Sequence, residues 1–372
     1  MNIDIKNIEY FRTDVTTLKL SPVWKEESGK APQLVGHSFD IGDDRVALTR
    51  PRTKTSIFSS IGISPNAERL FTLEEVFNRA VDKGAIQRDI TICVERTDSG
   101  YISHAASFKD DFIKIDQAIN CIKSSDEEAS ITFCDGIIRS VHPARDAEAS
   151  FSIGNLNFSG GFVVSVPIDG YGNPVTYLKV YIGKNSIVLE AKAFKSKIAM
   201  GSIGIQAVAN NIKGYRNPEG FEAIQGQLEL ANDSWVSVAE ALGLHSVLSK
   251  VKWIGDPNPL ELMDKFNRTL GRWRGHLSEI VRNNVDDEEH AEEVIQTGLS
   301  SLVFIPEKER KNLPLDASVL DLFKFACDVR TNYNIDEYSK RAIDAYIGNL
   351  LSSRFDLAGQ KKRIAEYSDF FV

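Results

Sequence analysis

Between residues 130 and 190 the chain alternates short β-prone runs with turn signals, and this pattern excludes an all-helical fold. The candidate strands are 130–134, 137–142, 149–153, 161–167, 176–182 and 186–191. Turn-forming residues separate these runs, among them Asp135-Gly136 and Gly183-Lys184-Asn185. Consecutive strands joined by such short turns pair antiparallel. The pattern therefore predicts antiparallel β structure, with a hairpin at residues 183–185.

Apolar residues recur at helical spacing elsewhere, most clearly in the last third of the chain. The predicted helices there are Pro259–Asn283, one opened by the acidic run Asp286–Glu293, Ala317–Thr331, Asp336–Ser352 and Leu357–Phe371. An earlier helix is predicted from Thr72 to Lys83, where Thr72 and Glu75 have the spacing of a capping box. A second early helix is predicted over Asp111–Lys123. These features predict an α+β protein whose C-terminal part is helical.

Proline and glycine punctuate residues 1–70 and favour short strands over long helices there. The change of pattern along the chain then divides it into three predicted segments. Residues 1–70 form an irregular, short-strand segment, residues 71–216 an α+β core domain, and residues 217–372 a helical C-terminal domain.

Composition narrows the class of protein. The chain of 372 residues has a formal net charge of −8, which excludes a polycation that coats nucleic acid along its whole surface. No run approaches the ~18 apolar residues of a membrane span, and the first residues do not resemble a signal peptide. Four cysteines occur without a CxxC pair, as expected for reduced thiols. We therefore expect a cytoplasmic protein with no membrane partner.

Catalytic motifs are missing from the sequence. It contains no GxxxxGK[ST] phosphate-binding loop, no GxSxG elbow and no HExxH pair, and its histidines do not have metal-ligand spacing. The sequence accordingly favours a non-enzymatic protein without a cofactor or metal. An enzyme stays an alternative if distant residues assemble into a site, and His142, Asp135, Asp169 and Glu190 are the candidates for it.

The strongest local charge bias lies in residues 176–220, which hold seven basic and two acidic residues. Aromatic residues lie among the basic ones. Cations attract phosphates, and exposed aromatic rings stack on unpaired bases, so the bias predicts a groove for single-stranded nucleic acid. A charged solvent face with buried aromatics is the competing interpretation. The candidate nucleic-acid-binding residues are Tyr177, Lys179, Tyr181, Lys192, Lys195, Lys197, Lys213 and Arg216.

A second basic stretch, Arg45–Lys54, carries four basic residues and no acidic one. It is interpreted either as an arm that contacts phosphate or as a solvated loop.

Residues from about 151 onward resemble a phage- and plasmid-borne protein family of unknown function. The resemblance rests on a strand pair with a glycine-rich turn, Gly160–Ile182, and on two helical segments of the tail, Ser318–Val329 and Arg341–Leu351. It implies a mobile-element protein in a bacterial host cytoplasm. Proteins of such elements include single-strand annealing factors, which form oligomers with a basic groove.

Three functions remain open on this basis. The leading hypothesis is a non-enzymatic mobile-element protein that binds nucleic acid, with single-stranded DNA as the ligand in an annealing-type role and with self-association. The second is a structural or assembly protein of a phage particle. The third is an enzyme whose site the sequence does not reveal.

Overall fold

The computed structural model describes residues 7–26, 28, 31–41, 45–60, 71–82, 89–107, 112–144, 149–255, 258–270 and 314–362. The chain divides into two compact units. The first comprises residues 1–142, 164–175 and 197–214, and the second comprises residues 143–163, 176–196 and 215–372.

The described strands, in chain order, are β1 Ile8–Asp14, β2 Leu20–Lys25, β3 Gln33–Asp40, β4 Val46–Thr49, β5 Asp89–Thr97, β6 Gly100–Ser107, β7 Ser130–Cys134, β8 Ile137–Pro143, β9 Ser150–Ile153, β10 Leu156–Pro167, β11 Val175–Ile182, β12 Asn185–Val188, β13 Lys195–Lys197, β14 Trp235–Ser237 and β15 Pro314–Ser318. The described α-helices are α1 Pro51–Ser60, α2 Leu73–Asp82, α3 Ile115–Lys123, α4 Gln206–Gly214, α5 Pro218–Asn232, α6 Val238–Leu248, α7 Pro259–Leu270, α8 Val319–Asn332 and α9 Glu337–Ser352. This content confirms the predicted α+β class.

One sheet of the first unit has the strand order β1-β5-β6-β4-β3-β2. Its described neighbours pair antiparallel, apart from β4 and β6, which run parallel. The inner face is apolar: Phe39 of β3, Phe58 of α1 and Phe77 of α2 are buried with their rings edge to face. Burial of large aromatic rings of this kind supplies much of the stabilisation of such a core.

The outer face of β2, β3 and β4 is apolar but open to solvent. Trp24 pairs with Leu34 across β2 and β3. Leu48 of β4 lies on the same face and packs against Gly36, because a Cβ added to Gly36 would lie 3.2 Å from Cδ1 of Leu48. Trp24 is 54% exposed and Leu34 is 46% exposed. Contiguous exposed apolar surface of this kind is typical of interaction sites.

A second sheet has the order β12-β11-β10-β8-β7, with β13 beside β11 and β9 beside β10. The predicted turns at Asp135-Gly136 and at Gly183-Lys184-Asn185 are confirmed. Asp135 (φ 49°) and Gly136 (φ 70°) connect β7 to β8 with two left-handed residues, the requirement of a type I′ turn. Ile182 pairs with Asn185, so Gly183 and Lys184 form a two-residue loop between β11 and β12, with Gly183 at φ 58°.

The second unit is built around α8 and α9. Ser318 caps α8 through a capping box with Asp321, and the helix buries most of its apolar side chains. Lys265 of α7 is bonded to Asp328 of α8, with 2.5 Å between Nζ and Oδ2. This helical packing agrees with the prediction for the C-terminal part.

Helix α2 confirms the predicted helix at Thr72–Lys83, and Thr72 and Glu75 form the expected reciprocal bonds at 3.3 Å. The Arg45–Lys54 stretch is neither loop nor arm, because it contains β4 and the start of α1, which begins at Pro51. Proline fits the first turn of a helix because the N–H groups there have no acceptor within the helix, so the absence of an N–H in proline breaks no hydrogen bond.

Two further predictions differ from the structure. Residues 357–362 are not α-helical: Leu357 bridges Trp235, Gly359 has φ 70° and residues 360–362 form a 3₁₀ turn. The compact units also do not follow the predicted boundaries at 70 and 216, since strands β1–β4 share a sheet with β5 and β6. The end of the predicted helix Pro259–Asn283, the helix opened by Asp286–Glu293 and residues 363–371 lie outside the described residues.

No helix among the described residues combines the length and the apolarity needed to cross a membrane.

Candidate nucleic-acid interface

The charge bias of the sequence lies mainly on one stretch of the second unit, Thr176–Ser196, which we call the cationic segment. It comprises most of β11, the two-residue loop, β12 and a 3₁₀ turn at Lys192–Phe194 that leads into β13. Leu178, Val180 and Ile187 are buried and anchor the segment to the core. Leu178 and Val180 share one face of β11, and Tyr177, Lys179 and Tyr181 lie on the other.

Three lysines of the cationic segment are solvent-exposed: Lys184 in the loop, Lys192 in the 3₁₀ turn and Lys195 at the start of β13. Lys192 is the first residue of the 3₁₀ turn and Lys195 follows its last residue, so the two exposed lysines lie three positions apart in the chain. Their ammonium groups form no ion pair with any described residue. These side chains are available to an anionic ligand.

The acidic residue of this segment, Glu190, is turned away from solvent. Its side chain is 11% exposed, and its Oε1 lies 3.7 Å from Nε of Arg341 on α9. Helix α9 packs directly on this backbone, because a Cβ on Gly348 would lie 2.8 Å from the amide nitrogen of Glu190. Every exposed charge of the cationic segment is consequently positive.

Lys179 and Tyr181 do not fit the predicted roles. Lys179 is only 7% exposed, and its Nζ lies 4.6 Å from the centroid of the Tyr181 ring. The two residues share a face of β11, as the alternation predicts, and the cation occupies one face of the Tyr181 ring. Burial also raises the pKa of Tyr181. Lys179 is a buried residue of the fold and not an exposed phosphate contact.

The remaining predicted residues are distributed more widely. Tyr177 is half-buried on β11, and Arg216 is exposed with Nη1 donating to the carbonyl of Tyr215 at 2.8 Å. Lys197 and Lys213 are exposed but belong to the first unit. Lys197 is nevertheless two residues beyond Lys195 on the same short strand, where alternate side chains point the same way.

The residues named for an enzymatic site come together only in part. Both oxygens of Asp135 accept from the backbone N–H of Arg52, at 2.9 and 3.0 Å, at the start of α1. The Arg52 guanidinium donates to both oxygens of the fully buried Asp169, at 2.7 and 2.8 Å, and to the Tyr171 carbonyl. The bidentate Arg52–Asp169 pair and the Asp135 carboxylate together join three chain segments of the first unit.

His142 lies in a different hydrogen-bonded chain. Its Nδ1 is 2.7 Å from Oδ2 of Asp126, and its Nε2 is 2.7 Å from Oγ of Ser140. The order of groups is that of a serine, histidine and aspartate triad, which our sequence analysis missed although Ser140 and His142 are two residues apart on one strand. Ser140 and His142 are both completely buried, so a substrate has no access to the hydroxyl.

The described residues contain no group of three or more histidine, cysteine or acidic side chains arranged to hold a metal ion. Glu190, the fourth residue named for an enzymatic site, belongs to the second unit, whereas Asp135, Asp169 and His142 belong to the first.

Comparison with known proteins adds no family to this description: no family model, no curated protein and no solved structure matches the chain.

Proposed function

We propose that this chain is a non-enzymatic nucleic-acid-binding protein that holds single-stranded DNA through the exposed lysines of the cationic segment. The observation that carries the proposal is the burial of Glu190 against Arg341, which leaves only positive charge on the exposed surface of that segment. Exposed lysines attract phosphates irrespective of base sequence.

The overall charge of −8 does not oppose local binding. Charges beyond a Debye length, ~10 Å at 0.1 M salt, are largely screened from a bound phosphate. A short stretch of lysines therefore acts as a local site on an acidic protein. Such a site suits a protein that engages DNA at one surface and leaves the rest of the molecule soluble.

Single-stranded DNA is the proposed ligand because of the resemblance of residues 151–372 to proteins of mobile elements. In this proposal the protein works in the cytoplasm of a bacterial host, in an annealing-type role with self-association. The resemblance is an analogy and identifies no residue, so the experiment addresses the binding itself.

The test is a salt titration of the intact protein with a fluorescent single-stranded oligonucleotide, followed by anisotropy. Three lysines that each displace about 0.7 counterion give a slope of log K against log salt of roughly −2. The Kd should then rise about fifteenfold between ~50 and ~200 mM salt. Absence of binding at ~50 mM salt, where phosphate attraction is strongest, would end the proposal.

An assembly protein of a phage particle is the second candidate, and the exposed apolar face of β2, β3 and β4 favours it. Trp24 and Leu34 expose about half of their surfaces there, and contiguous exposed apolar surface marks sites of protein contact. Failure to bind DNA together with a defined oligomer in sedimentation would support this candidate over the first.

A further inference from the structure

We infer that the cationic segment contacts the phosphodiester backbone alone and does not stack on or recognise bases, so that it binds abasic and double-stranded DNA as well as ordinary single strands. This inference rests on the proposed function and specifies the chemistry of its ligand. It departs from our initial hypothesis of a groove in which Tyr177 and Tyr181 stack on bases.

Stacking needs an aromatic ring with one open face. Residues 176–216 contain four aromatic side chains: Tyr177, Tyr181, Phe194 and Tyr215. One face of the Tyr181 ring is occupied by the ammonium of Lys179, at 4.6 Å. Since Lys179 is itself buried, a base could stack on that face only after the lysine had been displaced into solvent.

Two of the other rings belong to the core. Phe194 is 7% exposed, because the 3₁₀ turn that projects Lys192 outward directs Phe194 inward. Tyr215 is 9% exposed, and its ring lies 4.6 Å from that of the buried Phe162. Burial accordingly raises the pKa of Tyr215. Neither ring offers a surface to a base.

The exposed charged groups of the segment also lack the geometry for recognising bases. Direct recognition uses planar, bidentate groups, above all arginine against guanine and asparagine or glutamine against adenine. Lys184, Lys192 and Lys195 carry point charges on flexible stems. Their contacts are with phosphate oxygens, which every nucleic acid presents and which a duplex presents at higher density than a single strand.

Tyr177 is the remaining ring, half-buried on β11. A base stacked on it would contribute about 1–3 kcal/mol, or about five- to 150-fold in Kd. Tyr177→Leu keeps an apolar side chain and removes the ring. We expect its affinity for single-stranded DNA to stay within about twofold of wild type.

The deciding experiment compares three fluorescent ligands of equal length with the wild-type protein at ~50 mM salt: an oligothymidine, an oligomer of the same backbone with abasic sites throughout, and a duplex. Equal Kd values for the oligothymidine and the abasic strand, within about threefold, and a duplex bound at least as tightly are the expected results. An oligothymidine bound tenfold or more tightly than the abasic strand, or a fivefold loss in Tyr177→Leu, would overturn the inference while leaving the proposed function intact. If none of the three ligands binds, the proposed function itself fails and the inference falls with it.

Discussion

Replacement of Asp344 by alanine is expected to lower the free energy of unfolding by about 3–5 kcal/mol. Asp344 is completely buried on α9, where its Oδ1 accepts from Nε of Arg330 on α8 and, at 3.0 Å, from the backbone N–H of Val188 on β12. Burial alone would lower the pKa of Arg330, but the carboxylate outweighs it and raises that pKa. Alanine would leave a buried guanidinium without its counter-charge. Urea denaturation monitored by circular dichroism measures the loss.

Two variants control this prediction. Lys340→Ala removes an ion pair with Glu337 on the same helix, in which Nζ and Oε1 are 2.8 Å apart and both side chains are partly exposed. This substitution should lower the free energy of unfolding by less than about 1 kcal/mol. Arg330→Met combined with Asp344→Ala should be less destabilised than Asp344→Ala alone, because no buried charge is then left over. An Asp344→Ala protein as stable as Lys340→Ala would show that the buried pair does not hold α8, α9 and β12 together.

Gly136→Ala should destabilise the protein by about 2–4 kcal/mol, from two independent causes. The residue has φ 70°, in the left-handed region where a side chain costs about 1–2 kcal/mol. Its Cβ would also lie 2.7 Å from the carbonyl oxygen of His104 and 3.2 Å from Cγ of Arg52. The turn would have to shift, and the bonds from Asp135 to the start of α1 would shift with it. Thermal unfolding measures the change.

Gly154 provides the matched control for Gly136. It has φ 57° in the turn between β9 and β10, and a Cβ there would meet no atom within 4 Å. In Gly154→Ala the left-handed backbone disfavours the new side chain, but the side chain meets no other atom. We therefore expect the free energy of unfolding to fall by only about 1–2 kcal/mol. Equal destabilisation by the two substitutions would contradict the close packing of the Asp135-Gly136 turn against β6.

Features that depend on neighbouring residues could be predicted from the sequence. The hairpin at Gly183-Lys184 and the capping box of Thr72 and Glu75 both follow from residue types within four positions of each other. Alternation along β11 likewise predicts that Lys179 and Tyr181 share a face. These structures are stabilised by contacts between residues close in sequence, so the residue types alone indicate them.

Features that depend on distant residues could not be predicted. The pairing of β1 with β5 joins residues about eighty positions apart, and nothing in either strand specifies the other. Arg341 buries Glu190 from about 150 positions away, so the positive character of the cationic segment was visible only as a net count of charges. The burial of Lys179 was missed because a lysine on a strand is ordinarily exposed, and only the packing around β11 reverses this.

The most direct measurement for the account is the Kd for single-stranded DNA of the variant Lys192→Glu/Lys195→Glu, compared with Lys250→Glu/Lys252→Glu. Both variants change the net charge by the same amount at exposed lysines, but only the first alters the cationic segment. At ~50 mM salt we predict at least a tenfold loss of affinity for the first variant and less than a twofold change for the second, with unchanged thermal unfolding of both. Equal affinities of the two variants would contradict the claim that the lysines of the cationic segment bind DNA.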